Sequence, residues 1–297
     1  MHFLNRVFYF ADYFGDLDDD DVLQRVVEVT IGARTGFDAD QIVRRLKQSE
    51  RTWAAVLDTI MRDFTERQGK ERWSEKSPLQ SAEALWKLFP NAQVVHIVRH
   101  PLHSVASTSA KLAIFRNPVK AAHEWHRFTV KTMAAGERRG PAQYMRVLYE
   151  DLAADPQAVM STVCTFLGEQ FESAMVTDID RRRSAVNEVH LVPLMASVFE
   201  PIKSAEVQPF TGVTRLERAR VWAVVAPVAD QLGYDAPRRP MRNVGRAMNR
   251  LVKPLDRLHE WRAQQQASRL TTPDERYASM LSKIDNFMED TEKKLQR

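Results

Sequence analysis

One cysteine, Cys164, stands in 297 residues, so no disulfide can form within the chain and a reducing compartment is expected. No Asn-x-Ser/Thr sequon occurs, so there is no acceptor for N-glycosylation. No apolar run approaches the length of a membrane span. The opening MHFLNRVFYFADYF is apolar, but it carries Arg6 and Asp12 and lacks a small-residue cleavage site, which argues against a signal peptide. The eight histidines show no metal-ligand spacing, and no metal is expected. A strong charge of one sign is missing too: the net charge is only +4, which suits an anionic ligand without requiring one. These absences leave a soluble, cytoplasmic chain, 44% apolar and large enough for a substantial core.

What is present reads as helices first and alternation later. Aspartates in DLDDDD complement the start of a helix through VLQRVVEVT. A second helix is ADQIVRRLKQ, and a third, RTWAAVLDTIMRDFTER, sets Trp53, Val56, Ile60 and Phe64 on one face. After Gly69 the pattern changes. ERWSEKSP predicts a short strand, LQSAEALWKLF a helix, VVHIV a strand and Pro101 to about Phe115 a helix. A long helix is expected from Asn117-Pro118 to Gly136, and a strand in YMRVLYEDL. Asp155 and Pro156 open a further helix that Gly168 closes. Thr214 and Glu217 form a capping box for a helix that Pro227 should kink. Such alternation predicts an α/β fold with a parallel sheet and flanking helices. Residues 1–235 form the main domain in this reading, and 236–297 a basic, amphipathic, helical C-terminal extension.

The stretch VVHIVRHPLHSVAS, residues 94–107, carries the chemistry. Ligands of open α/β sheets bind beyond the carboxyl ends of the strands, and Arg99 is the last residue of an apolar strand. Pro101 suits the first turn of the next helix, where free N–H groups favour an anion. Ser104, Ser107, Thr108 and Lys111 follow at helical spacing. Six helical residues advance the chain about 9 Å, so a guanidinium and the Ser107 hydroxyl can converge on one phosphate. A strand-end salt bridge beside an ordinary surface helix is the other reading of Arg99.

RHPLHSVAS resembles the 3′-phosphate-binding segment of the sulfotransferases, enzymes that use 3′-phosphoadenosine 5′-phosphosulfate (PAPS). Three more segments resemble that family in the same order: ERWSEKSP, VLYEDLAADP (with Leu148 where the family has arginine) and QLGY. Trp125 and FLGE at 166–169 also fall where family members place similar residues. The resemblance implies a P-loop-type sulfotransferase fold. It implies that Arg99 and Ser107 bind the 3′-phosphate of PAPS, and that Lys76 is catalytic, its cation placed where charge develops during sulfuryl transfer. The implied acceptor is a hydroxyl or amine of a small molecule, lipid or carbohydrate. Tyr149, Glu150 and Asp151 read as structural, with Asp151 satisfying backbone donors at a strand-to-helix turn.

The family's glycine-rich loop for the 5′-phosphosulfate is missing between Met1 and Lys76; GARTGFD at 32–38 lacks its serine-glycine-threonine core. Two explanations are open: a shortened sulfotransferase, or a family member that has lost catalysis and acts as a nucleotide-binding or membrane-associated protein. His103, Glu75 and His190 are candidates for the general base. In the tail, residues 238–270 hold nine Lys/Arg against Asp256 and Glu260, with Val244, Met248, Leu251, Leu255 and Leu258 as an apolar stripe. That stretch could pack on the core or lie on an anionic membrane. No nucleic-acid motif is present, and no nucleic-acid partner is expected. A last helix is expected over 273–295.

Overall fold

The computed structural model describes residues 16–31, 37–75, 82–111, 117–178, 214–235 and 241–251. Lys76, residues 32–36, His190 and the helix expected over 273–295 lie outside the described residues. The chain divides into two compact units, the first holding 16–94 and 134–144 and the second the remaining described residues.

The first unit is built on three helices: α1 (Asp20–Ile31), α2 (Ala39–Leu46) and α3 (Trp53–Arg67). Local chemistry starts two of them. The Asp38 side chain accepts from the Gln41 amide at α2, and that of Thr52 from the Ala55 amide at α3, each such cap contributing about 1 kcal/mol. Their apolar faces meet in a core of Leu23, Val27, Ile42, Leu46, Leu57 and Ile60, all fully buried. Asp20 lies outside that core and pairs with Lys47 at 2.6 Å and Arg51 at 3.0 Å, which lowers its carboxyl pKa.

Residues 71–75 form no strand, against the expectation for ERWSEKSP. A strand is held by a ladder partner; this run is held by a side chain instead. Trp73 donates its indole N–H to Asp58 at 2.9 Å and sets its ring edge on Phe89. The helix α4 (Ala82–Leu88) then buries Trp86, whose indole N–H donates to the Ala92 carbonyl at 2.8 Å.

The sheet of the described residues has two strands, β1 (Val94–Val98) and β2 (Tyr144–Leu148). The Val94 amide donates to Gln143 where both strands begin, and the His100 amide donates to Glu150 where both have ended. The strands are therefore parallel, which demands a crossover. It is made by α5 (Pro101–Lys111) and α6 (Pro118–Arg139). Helix α6 does not stop at Gly136 as expected; it ends before Gly140, whose φ of +80° turns the chain.

In the second unit β2 passes directly into α7 (Tyr149–Ala154), so the YED residues are the first turn of a helix and not the end of a strand. Helix α8 (Pro156–Leu167) is capped by Asp155 and closed by Gly168 as expected, and α9 (Ala174–Thr177) is a single turn. Helix α10 (Arg215–Gln231) shows the full Thr214–Glu217 capping box and runs on through the exposed Pro227. Its Val221, Trp222 and Val225 pack with Val105 of α5 and Ala121 and Ala122 of α6. Each large apolar side chain buried this way contributes roughly 1.5–3 kcal/mol. A helix over 241–251, α11, docks on α10 through Gly245, where a Cβ would overlap the Ala219 carbonyl. Arg242 adds a forked pair to Asp230 at 2.9 and 3.1 Å, and Asn249 exchanges hydrogen bonds with Arg220.

Candidate functional site

The site grows from the end of β1. Val98 is the last buried residue of the strand, and Pro101 is the first of α5. Between them Arg99 and His100 make the turn, and the His100 carbonyl accepts from the Ser104 amide to start the helix. The first amides of α5 point beyond the strand ends, where an anion is favoured.

Arg99 is half-buried, with its guanidinium 4.6 Å from the centre of the Tyr149 ring. Tyr149 opens α7 directly after β2, so the neighbouring parallel strand supplies the platform. Among the described residues no carboxylate lies within ion-pair distance of Arg99. The strand-end salt bridge is therefore not what the structure contains. Ser107 follows two turns along α5 and is half-buried, its hydroxyl unpaired among the described residues. Arg99 and Ser107 thus share one strand–turn–helix segment. Lys76 lies outside the described residues, as does His190.

Glu150 organises the turn. One carboxylate oxygen accepts from the His100 amide at 2.9 Å, and the other accepts from the Tyr234 hydroxyl at 2.8 Å. The Tyr234 hydroxyl also approaches the Val98 carbonyl at 3.3 Å. Tyr234 reaches this position because Gly233, at φ +78°, reverses the chain at the end of α10. Burial and the adjacent Glu150 push the phenol pKa well above its ordinary value. The sequence reading assigned the carboxylate role here to Asp151, but Asp151 is exposed and Glu150 makes the bonds.

His100 and His103 complete the cluster, their rings edge to face at 5.1 Å. His100 also meets Trp222 and Tyr234 edge-on. Burial lowers the His100 pKa to about 4, aided by His103 and Arg99 and opposed by Glu150. His103 is lowered by burial and then by Arg99. Both imidazoles are held toward their neutral forms, the state a proton acceptor needs. Glu75, the third candidate base, belongs to the first unit. No group of His, Cys, Asp and Glu able to hold a metal is present among the described residues. Cys164 is buried, with its thiol donating to the Met175 sulfur at 3.8 Å.

Residues 14–173 match the Sulfotransferase family. The chain belongs to that family. It is 26% identical over 175 residues to protein-tyrosine sulfotransferase 1 of Danio rerio, a match that covers 57% of this chain and 49% of that protein. The chain therefore spans about half the length of this curated relative. Among solved structures, the sulfotransferase domain of the Synechococcus PCC 7002 olefin synthase superimposes with a TM-score of 0.51 at 21% identity, covering 73% of this chain and 76% of that one. The sulfotransferase domain from the curacin biosynthetic pathway gives a TM-score of 0.46 at 17% identity, covering 73% and 80%. The fold is accordingly the helix-rich, P-loop-type α/β fold of the sulfotransferases, with a small parallel sheet. No helix of the described residues is long and apolar enough to cross a membrane.

Proposed function

We propose that this chain binds PAPS through Arg99 and Ser107 and uses it as the sulfuryl donor to a hydroxyl or amine acceptor. The observation that carries the reading is a guanidinium that, among the described residues, has no carboxylate partner at the carboxyl end of a parallel strand, leading into a helix whose Ser107 hydroxyl is unpaired among those residues. Arginine offers forked charged donors and serine a rotatable one, a pairing suited to a phosphate monoester. In the transfer the acceptor oxygen or nitrogen attacks sulfur, and the bond from sulfur to the 5′-phosphate oxygen breaks. Adenosine 3′,5′-bisphosphate (PAP) departs and the acceptor proton passes to a base. Lys76 is the proposed cation beside the departing group, and His103 remains a candidate for the base. The acceptor class is a small molecule, lipid or carbohydrate; the name of the Danio rerio relative adds the phenolic hydroxyl of protein tyrosine. A nucleotide-binding protein without turnover is the alternative, and it would bind PAP and release none from PAPS.

The test is calorimetric titration of PAP into the full chain and into Arg99→Ala. Loss of a charged phosphate contact predicts affinity weaker by about tenfold or more. A folded wild-type chain that does not bind PAP overturns the reading.

A second reading concerns α11 and rests on a separate observation. Met241, Val244 and Leu251 are 45%, 52% and 73% exposed, while Gly245, Arg242 and Asn249 take the docked side. An outward apolar stripe in a basic segment favours contact with an anionic lipid surface.

A further inference from the structure

Three segments singled out in the sequence, VRHP, YED and LGY, meet at one carboxylate. Glu150 takes the His100 amide on one oxygen and the Tyr234 hydroxyl on the other. We propose that Tyr234 and Glu150 are positioning residues of the anion site, Tyr234 holding Glu150 away from Arg99 so that the guanidinium stays available to a phosphate. The role rests on the nucleotide-binding reading above and deepens it.

The argument begins with a conflict of charge. Tyr149 lies against the Arg99 guanidinium, and the next residue is an acid. Arg99 and Glu150 both act electrostatically on His100 and on His103, with opposite signs, so the two charges occupy one neighbourhood. A carboxylate free to rotate there would form a charge-assisted pair with the arginine. That pair would fill the site with the protein's own anion. Instead both oxygens of Glu150 accept from uncharged donors, at 2.9 and 2.8 Å. The same two bonds fix the backbone: the His100 amide directly follows Arg99, so holding it aims the guanidinium. Tyr149 steadies the side chain while Glu150 steadies the main chain.

The Tyr234 bond is the removable restraint. It reaches Glu150 across 84 residues of sequence, and Gly233 supplies the turn that delivers it. Without the hydroxyl, one oxygen of Glu150 loses its donor and Arg99 is the strongest donor nearby. Glu150 is half-buried, and a carboxylate oxygen that has lost its donor gains a charge-assisted bond by turning to the guanidinium.

This logic makes a prediction that plain loss of structure does not. Calorimetric titration of PAP is run on the full wild-type chain, Tyr234→Phe, and the double variant Tyr234→Phe/Glu150→Gln, with thermal melts as a check on folding. Tyr234→Phe should weaken PAP binding about fivefold or more. The double variant should recover most of that loss, because a neutral amide can still accept from the His100 amide but cannot neutralise Arg99. Wild-type affinity in Tyr234→Phe overturns the proposal. So does a double variant that binds as weakly as Tyr234→Phe or more weakly, since that reports only the accumulating loss of structural bonds. Absence of PAP binding in the folded wild type is a different failure: it removes the nucleotide-binding reading, and this role with it.

Discussion

His96 lies in the middle of β1, buried, with its ring edge-on to Phe128 at 6.0 Å. Burial, and then the Arg146 charge on the neighbouring strand, lower its pKa from 6.5 to about 4. A histidine with a lowered pKa in the fold favours the native state while it is neutral. Its contribution is fully present above the unfolded value of 6.5 and is lost as the pH falls from there through about 4. At 1.36 kcal/mol per unit, the wild-type chain should lose on the order of 2–3 kcal/mol from this group between pH 7.5 and 4. Urea unfolding at both pH values checks this against His96→Gln, which cannot titrate. The variant should lose about 2 kcal/mol less than wild type over that interval; equal losses would mean that the imidazole is charged or hydrated in the fold. His100 shifts in the same direction, so some pH dependence survives in the variant. At this scale the positions of Arg99 after a strand and of Ser107 on the next helix were legible, because strand, proline and helix periodicity follow one another within fourteen residues. It misassigned the carboxylate of the YED turn. The partners of Glu150 lie 50 and 84 residues away in sequence, and no local pattern reports such distances.

Among elements, α6 shows how one residue type carries two signals. Gly136 was expected to end the helix, yet the chain continues to Arg139. The glycine is needed for close approach: a Cβ there would overlap the Tyr144 ring at the start of β2. Gly136→Ala therefore sets helix propensity, which alone favours alanine by up to about 1 kcal/mol, against a steric clash. Overpacking of this kind costs about 1–3 kcal/mol, and the net effect should be destabilising. Combining it with Tyr144→Ala removes the obstacle. A double-mutant cycle by urea unfolding should show Gly136→Ala costing much less in the Tyr144→Ala background than in wild type. Additive costs would show that the ring and the glycine do not oppose each other. The caps of α8 and α10 were legible because Asp155 and Thr214 act within three residues of themselves. For the strand expected in ERWSEKSP, the described residues 71–75 went the other way, since strands are made by partners and Trp73 found its partners in Asp58 and Phe89.

For the whole molecule, charge distribution decides more than total charge. Nine of the 43 Lys and Arg but only two of the 39 Asp and Glu fall in residues 238–270, so this stretch alone exceeds the net +4 of the chain. In the part of it that is α11, Gly245, Arg242 and Asn249 meet α10 while Met241, Val244 and Leu251 are exposed. A helix stabilised only by its core would do the reverse. Against an anionic bilayer the arrangement is favourable twice: the stripe leaves water, and each nearby Lys or Arg adds about 1 kcal/mol. The chain should therefore co-sediment with vesicles of phosphatidylcholine and phosphatidylserine at low salt, and far less with phosphatidylcholine alone or in 0.5 M salt, where screening reaches within about 4 Å. The triple variant Met241→Ser/Val244→Ser/Leu251→Ser should reduce the bound fraction several-fold and leave PAP affinity unchanged, because the stripe shares no residue with the Arg99 turn. Vesicle binding that is absent, or that the triple variant retains in full, overturns the lipid contact. Sedimentation velocity settles the rival occupant: a concentration-dependent dimer abolished by the same three substitutions would assign the stripe to a second copy of the chain.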